Sequence, residues 1–314
     1  MKKEFALLAV GELNPDLIVT GLGQPPVPGR EVFVRGARLT LGSSTAICAA
    51  GVAKLGLPVA LVAHVGEDVA GRFCLDYLTR CGVDVSRVKL HPDQPTGFTV
   101  SLAYAGDRAL LTFPGVMGDL TAGDLPDDLL LRARHLHLSS YFLHRNLRED
   151  YAALFARAKA LGLTTSLDPG WDPEERFAPP LDPLLPHLDL FLPSEAEALA
   201  LTRSTTLDEA LDRLSQAGPL SVVKCGGRGA VAVGRGYRAQ IPAFEVEVVD
   251  PTGAGDSFDA GFLYGWLTGR GLEESLRLGA ACGALAVQAV GGAEGFAGLR
   301  QVEQFLTEAR PRPI

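Results

Sequence analysis

The segment DPTGAGDSF, residues 250–258, decides how the rest of this sequence is interpreted. Gly253, Ala254 and Gly255 are small enough for backbone N–H groups to approach a ligand, and an apolar pattern of helical spacing follows them. Free amides at the positive end of a helix form an anion site. A carboxylate beside that site, Asp256, is suited to accept the proton of a hydroxyl that attacks phosphorus. The alternative interpretation is a glycine-rich turn in which Asp256 only caps the helix.

Outward from this segment, short β-like runs alternate with helix-like segments. Apolar runs at 59–65 and 220–224 are typical of buried strands, and the helical pattern at 45–55 stops at Gly56. Strands separated by helices predict βαβ units. We therefore expect an α/β fold with a mostly parallel sheet that is covered by helices on both faces.

Two regions break this alternation, because their strand-like runs follow one another without a helix. The pairs are 17–20 with 32–39 and 98–104 with 108–113. Such strands cannot easily join a parallel sheet, so they predict a small β flap over one edge. Flaps of this kind commonly close active sites.

Three further predictions concern the C-terminal third of the chain. A β-like run at 244–249 leads into the segment 250–258, and a helix is expected over 272–290. The tail, residues 309–314, contains two prolines, and we expect it to be frayed.

Composition narrows the class of protein. The 314 residues are 47% hydrophobic and 21% charged, which is typical of soluble globular enzymes. The net charge of −8 and the lack of a basic block argue against nucleic acid as a partner. The longest uncharged stretch, 278–293, is shorter than the roughly 20 residues of a membrane span. Five scattered cysteines without a CxxC pair favour a cytoplasmic protein that has neither a disulfide framework nor a zinc site.

The segment 250–258 resembles the second signature, D-T-x-G-A-G-D, of the ribokinase-like (PfkB-type) carbohydrate kinase family. Further stretches resemble other parts of that family, in order and spacing, over nearly the whole chain. They are GELNPD (11–16), GSSTAICAAGVAKLG (42–56), VGED (65–68), DP (168–169), VKCGGRG (223–229) and DAGF (259–262). The ordered set is far more specific than any one of its pieces.

The resemblance implies one kinase domain over residues 1–314, built as a Rossmann-like three-layer sandwich with a mostly parallel central sheet. It also implies a small β-strand lid formed by about residues 12–40 and 96–115. Family members transfer the γ-phosphoryl of ATP to a sugar or nucleoside hydroxyl and use Mg²⁺. By position, Asp256 would be the catalytic base, and Gly253, Ala254 and Gly255 would form the anion hole.

The resemblance also assigns binding roles by position. Substrate-binding positions are Asn14, Asp16, Gly42, Ser43 and Ile47. Nucleotide-binding positions are Ser194, Lys224, Gly226, Gly229 and Ala280. Glu197 would orient water on Mg²⁺, and Asp250 and Thr252 match positions that hold a monovalent cation such as K⁺ in some members.

The sequence departs from the family pattern at several of these positions. Ser43 and Ile47 stand where the first signature usually carries Gly and Asn, and an apolar Ile cannot hydrogen-bond a sugar hydroxyl. Ser194 replaces the Asn of N-x-x-E, and Ala280 replaces an Asn often found near the adenine. These differences bear on the substrate and on the finer nucleotide contacts, and they leave the residues of phosphoryl transfer in place.

Simpler interpretations stay open for some residues. Asn-Pro-Asp is a common turn, so Asp16 could be structural, and Ser43 could only cap a helix. The stretch 224–229 could be the turn of a hairpin between two strands. Arg108, in the predicted flap, could reach a phosphate or the substrate, or it could be a solvated surface charge.

We expect a cytoplasmic, ATP-dependent sugar kinase that takes a small-molecule sugar and has neither nucleic acid nor a membrane as partner. A nucleoside kinase would share every motif. A non-catalytic binding protein with this fold would account for the changes at Ile47, Ser194 and Ala280, but it would have no use for an intact Asp256. A nicotinamide oxidoreductase is disfavoured, because no dinucleotide fingerprint opens a helix. An exposed flap face could pair two subunits in a homodimer.

Overall fold

The computed structural model describes residues 3–104, 107–178, 181, 183–295 and 298–313, and the side chains at 104, 107 and 108 lie outside that description. The strands are β1 (Phe5–Val10), β2 (Pro15–Thr20), β3 (Gly36–Leu41), β4 (Val59–Gly66), β5 (Val83–His91), β6 (Phe98–Tyr104), β7 (Asp107–Phe113), β8 (Ala133–Ser139), β9 (Thr164–Asp168), β10 (Leu190–Phe191), β11 (Leu220–Lys224), β12 (Ala230–Gly234) and β13 (Tyr237–Ile241). The helices are α1 (Ser44–Lys54), α2 (Val69–Arg80), α3 (Asp127–Leu130), α4 (Tyr151–Ala160), α5 (Glu195–Thr202), α6 (Leu207–Gln216), α7 (Ala254–Leu267), α8 (Leu272–Ala286) and α9 (Leu299–Glu308).

The larger of two sheets has nine strands within the described ranges, in the order β13-β12-β11-β10-β9-β8-β1-β4-β5. Neighbouring strands are parallel from β11 to β5, whereas β12 is antiparallel to both β11 and β13. The predicted mostly parallel sheet is therefore confirmed. Its strands end at a common edge, which is where ligand sites of open α/β sheets form.

β1 shows why helices cover both faces of this sheet. All six of its residues are buried, and successive side chains of a strand point to opposite faces. Leu7 belongs to the core that includes residues of α1, α7 and α8, whereas Leu8 belongs to the core that includes residues of α4 and α6. The sheet is thus the middle layer of the expected three-layer sandwich.

The smaller sheet, in the order β3-β2-β6-β7, is the predicted flap. β2 is antiparallel to β3 and parallel to β6, and β6 is antiparallel to β7. The strand predicted at 32–39 is instead β3, which begins at Gly36. The reason is that Gly36 pairs with Thr20, the last residue of β2, so the earlier residues have no partner strand.

Of the three predictions for the C-terminal third, the helix is confirmed from Leu272 but ends at Ala286, before its predicted end, whereas the strand at 244–249 and the frayed tail are wrong. Residues 244–249 form no strand: Phe244 makes an isolated bridge with Pro311, and the N–H of Val249 donates to the carbonyl of Val287 at 2.7 Å. This segment pairs with the tail and the end of α8, because no sheet strand lies beside it. α8 ends at Ala286. The tail is held in place by backbone hydrogen bonds of Arg310 and Arg312 to residues 243–245.

Candidate active site

The segment 250–258 turns directly into α7. The helix begins at Ala254, so Asp256 lies in its first turn. Gly253 precedes the helix with φ +70°, and a Cβ on it would lie 2.3 Å from the Cα of Gly292. Only glycine fits this position, because both the backbone angle and the neighbouring chain exclude a side chain. The result is a helix N-terminus with closely approachable amides.

Two cavities lie on either side of this turn. Thr252, Gly253 and Asp256 line one of about 210 Å³, and we call it the substrate-side cavity. Ala254 and Gly255 line another of about 260 Å³, which we call the nucleotide-side cavity. The turn is therefore shared between two spaces, with the carboxylate on one side and the small residues on the other.

The substrate-side cavity collects most of the substrate positions that the sequence indicated. Asn14, Asp16, Ser43 and Ile47 line it, as does Asp256. The Asn14 amide donates to Oδ1 of Asp16 at 3.1 Å, and it donates to Oγ1 of Thr99 in the flap at 3.3 Å. Asp16 therefore lies in the cavity rather than serving only as a turn residue.

Two predicted substrate positions do not appear in that lining. Gly42 packs against Asp16, since a Cβ on Gly42 would lie 2.0 Å from Oδ1 of Asp16. Its role is to let the backbone pass close to that carboxylate. The side chain of Arg108 lies outside the described part of the chain.

The cavity also contains residues that sequence patterns did not single out as site residues. They come from the loop after β1, the start of α1, the flap and the turns after β7 and β8. They are Glu12, Ser44, Thr99, Leu110, Thr112, Met117, Ser140 and Leu143.

Glu12 is a buried carboxylate that joins several elements at the cavity. Its Oε2 accepts from the hydroxyl of Thr45 at 3.0 Å, its Oε1 accepts from the hydroxyl of Ser140 at 3.0 Å, and Nε2 of His144 lies 3.5 Å from Oε2. Burial alone would raise the pKa of Glu12, but His144 and these hydrogen bonds lower it to about 2. Glu12 is therefore ionised at neutral pH.

Asp256 has the opposite balance. Burial raises the pKa of this carboxyl, the nearby Asp168 adds to the rise, and Lys224 and a hydrogen bond from Ser44 oppose it, so that it lies at about 7. A carboxylate with a pKa near neutrality can accept a proton in one step and release it in the next. Such a group in a cavity is suited to general base chemistry.

A buried cluster of charged groups underlies the turn on the nucleotide side. Nζ of Lys224, at the end of β11, lies 2.9 Å from Oδ2 of Asp168 and 2.9 Å from Oδ2 of Asp259. Burial would lower the pKa of Lys224, but the two carboxylates hold it well above its usual range. Burial and Asp168 raise the pKa of Asp259. Lys224 is therefore a buried cation whose charge is largely neutralised by Asp168 and Asp259.

The predicted nucleotide positions gather at the nucleotide-side cavity. Lys224, Gly226, Gly229 and Ala280 line it. The stretch 224–229 is also the hairpin turn between β11 and β12, so the turn interpretation is confirmed, and the same turn borders the cavity. Most of its other lining residues are apolar and come from stretches that sequence patterns did not connect with a nucleotide, and Arg312 is the charged exception. They include Phe244, Val246, Val248, Ala284 and Val287.

Ser194 and Glu197 lie beside Lys224 rather than in the lining of this cavity. The backbone of Ser194 bridges to Lys224, and the N–H of Ser194 donates to Oε2 of Glu197 at 2.7 Å. Burial and then Asp168 raise the pKa of Glu197. Both residues form the capping box at the start of α5, which fixes where the Glu197 carboxyl group lies.

Asp250 ties the turn to the segment after α8. Its Oδ1 accepts from the N–H of Thr252 at 2.9 Å, and its Oδ2 accepts from the N–H of Gly291 at 3.0 Å. Asp250 therefore holds the conformation of the turn. His135 and His137 both hydrogen-bond to Ser166. The residues that the structure describes contain no group of three or more His, Cys, Asp or Glu that could hold a metal ion. Within the same residues, no helix is long and apolar enough to cross a membrane.

Comparison with known proteins identifies the family of the chain that forms these two cavities. The model of the family described as pfkB family carbohydrate kinase matches residues 6–297. The chain belongs to this family. It is 30% identical over 275 residues to a 2-dehydro-3-deoxygluconokinase of Bacillus subtilis, covering 83% of this chain and 85% of the relative. It is 29% identical over 290 residues to a nucleoside kinase of Methanothermobacter thermautotrophicus, covering 92% and 91%.

A solved structure extends the likeness to three dimensions. A protein of E. coli described as ribokinase II, in complex with ATP and Mg²⁺, superposes with a TM-score of 0.85 at 27% identity, covering 98% of this chain and 99% of that one. This pfkB family chain is therefore a sugar or nucleoside kinase, a phosphotransferase with an alcohol as acceptor. The alternative of a nicotinamide oxidoreductase is wrong.

Proposed function

We propose that this kinase phosphorylates a neutral sugar, with ATP as donor and Asp256 as general base. One observation carries the proposal: the turn 250–256 presents Asp256 to the cavity that contains Asn14 and Asp16, and presents Ala254 and Gly255 to the cavity that contains Lys224. A hydroxyl held on the first side and a phosphate held on the second would meet at this turn.

The proposed reaction uses the residues of the turn in sequence. The hydroxyl oxygen attacks the γ-phosphorus, its proton passes to Asp256, and ADP leaves with the electrons of the broken P–O bond. Amides of residues 253–255 stabilise charge on the phosphoryl oxygens. The flap, whose Leu110 and Thr112 line the cavity, excludes water that would otherwise hydrolyse ATP.

The charge of the substrate-side cavity supports a neutral substrate. Glu12, Asp16 and Asp256 are acidic, and no Lys or Arg is present among its lining residues, within the side chains that the structure describes. An acidic sugar such as 2-dehydro-3-deoxygluconate would place its carboxylate against this set. Hydroxyl groups are matched instead by Asn14 and by the serine and threonine hydroxyls of the same wall.

Mg²⁺ is the metal that we propose for this site, held by ATP phosphates and by waters on carboxylates. The residues fit, because Oδ1 of Asp259 is buried with no hydrogen-bond partner in the described structure and Glu197 lies in the same cluster. When bound, Mg²⁺ would neutralise charge on the phosphates. Glu197 would orient one of its waters.

A monovalent cation, K⁺, is a further proposal for Asp250 and Thr252. Asp250 is a buried carboxylate whose two oxygens already join two backbone segments, so a cation there would strengthen the turn that the two cavities share. Replacing K⁺ by Li⁺ in the assay should lower the rate of ADP release. An equal rate in both salts would contradict this proposal.

We further propose that residues 1–314 act as one domain whose flap pairs with that of a second copy. A row of apolar side chains crosses the four flap strands at Leu39, Leu17, Val100 and Leu111. Leu111 is 60% exposed. Two such apolar rows would cover each other in a homodimer. Light scattering should give twice the monomer mass for the wild-type protein and the monomer mass for Leu111→Lys.

We place the protein in the cytoplasm, which its five free cysteines support.

The reaction is tested by measuring ADP release with a panel of neutral sugars, acidic sugars and nucleosides. We expect turnover with a neutral sugar, and turnover with nucleosides alone would establish the nucleoside kinase instead. Asp256→Asn should lower kcat by about 10²–10⁴ while ATP still binds. A variant with near-normal kcat would remove Asp256 from the role of base.

A further inference from the structure

The C-terminal tail lies against the nucleotide-side cavity. The N–H of Glu245 donates to the carbonyl of Arg310 at 2.9 Å, and the N–H of Arg312 donates to the carbonyl of Ala243 at 2.7 Å. These hydrogen bonds and the bridge between Phe244 and Pro311 hold the tail against the wall of the cavity. The position of Arg312 is therefore set by backbone pairing.

The side chain of Arg312 reaches the cavity from this tail. It is half-buried and lines the cavity, and its Nη1 lies 3.5 Å from the carbonyl oxygen of Gly227. A Cβ at residue 227 would lie only 2.9 Å from the same nitrogen, so the glycine leaves room for the guanidinium.

Arg312 is the cation of this cavity whose charge is available. Among the described lining residues, only Lys224 and Arg312 are basic, and Lys224 is paired with Asp168 and Asp259. Arg312 makes no ion pair within the described ranges, and its side chain contacts the neutral carbonyl of Gly227. A half-buried guanidinium with free donors at a cavity rim is suited to bind a ligand.

Its place in the cavity points to the base end of a nucleotide. Gly255 and Lys224 lie together at one end, since a Cβ on Gly255 would be 3.6 Å from Nζ of Lys224, and the proposed phosphate site is there. Arg312 also lines the adjoining surface groove with Glu245 and Glu247, so it stands at the outer rim. The base of a nucleotide whose phosphates reach Gly255 would extend toward this rim.

We propose that Arg312 binds the nucleobase of the phosphoryl donor. This inference rests on the proposed function. A planar guanidinium stacks on a purine and donates hydrogen bonds but accepts none. Purine N7 and guanine O6 are acceptors, so the same side chain serves adenine and guanine. The enzyme should therefore use GTP as well as ATP.

The test compares Arg312→Ala and Arg312→Lys with Arg310→Ala, a control that removes the same charge from the same tail outside the cavity lining. Dissociation constants for ATP, GTP and AMP are measured by calorimetry with Mg²⁺, together with kcat and KM. Arg312→Ala should weaken all three nucleotides about tenfold, as expected for a lost base contact, with kcat within about twofold of wild type. Arg312→Lys should restore little of the loss, because lysine has no planar face.

Several results would overturn the inference. Unchanged affinity in Arg312→Ala would do so, as would full restoration by Arg312→Lys, an equal loss in Arg310→Ala, or a loss confined to ATP and GTP, which would mark a phosphate contact. Failure of the wild-type protein to use GTP would remove the claim about guanine. A wild-type protein that binds no nucleotide would instead refute the proposed function, so the two failures are distinguishable.

Discussion

The two cavities beside the turn 250–256 differ both in chemistry and in how the chain builds them. The substrate-side cavity is acidic, with Glu12, Asp16 and Asp256 in its walls, and it comes largely from the segments 11–16, 42–47 and 250–256. The nucleotide-side cavity is mainly apolar and is assembled from stretches between residues 224 and 312. The polar residues of the substrate-side cavity are therefore concentrated in short sequence motifs. The apolar residues that shape the nucleotide-side cavity are instead spread over a long part of the chain.

The largest effect should come from the buried charge on the nucleotide side. Lys224→Met would leave the carboxylate of Asp168 buried without its cation, and it should lower the free energy of unfolding by about 3–5 kcal/mol. The Asp168 pKa, which Lys224 helps to lower, would rise in the variant. Protonation then relieves the unpaired charge, so the loss should be smaller at about pH 5 than at about pH 8.

Urea denaturation at the two pH values measures this loss. Arg228→Ala is the matched control, because Arg228 pairs with Glu195 at the surface of the same hairpin, and its removal should leave stability unchanged. An equally small effect of both substitutions would show that Lys224 is not the cation that holds the cluster together.

The next effect concerns the turn that the two cavities share. Gly253→Ala places a Cβ against Gly292 at a positive φ, and it should cost about 1–3 kcal/mol of stability. Because the turn contributes to both cavities, kcat should fall and KM for ATP should rise. Thermal unfolding and steady-state kinetics measure these changes.

Gly255→Ala is the control in the same turn. The nearest atoms to its Cβ would be those of Lys224 at 3.6–3.8 Å, an ordinary contact, so stability should be kept. A loss of activity in this variant without a loss of stability would report close approach of a phosphate to residue 255. Equal melting temperatures for Gly253→Ala and wild type would contradict the steric account of Gly253.

What the sequence could predict follows the same division. The α/β alternation, the flap and the positions of Asp16 and Asp256 were recoverable, because glycine stops, apolar runs and the motif carry local signals. β5 was missed, since VDVSRVKLH is largely polar and forms the edge of the sheet.

The missed parts of the nucleotide side depend on contacts distant in sequence. Residues 244–249 look like a strand, but their partners are Val287 and the tail, which no local pattern reveals. The position of Arg312 could not be predicted either, because it depends on the course of the tail and on the cavity wall that the tail covers. Glu12 was quoted within a motif, yet its hydrogen bonds to Thr45 and Ser140 needed three elements to meet.

The smallest expected effect separates the two acidic groups of the substrate side by their pKa values. Asp256, raised to about 7 by burial and by Asp168, must lose a proton to act as a base, so kcat/KM should rise about tenfold per pH unit below that value and level off above it. Glu12, at about 2, stays ionised throughout and should contribute no slope. Sugar phosphorylation measured from about pH 5 to 9 gives the profile, and the residual activity of Asp256→Asn should lack this slope. A flat wild-type profile would mean that the proton leaves by another route, and the acidic wall of this cavity would then serve only to bind the sugar.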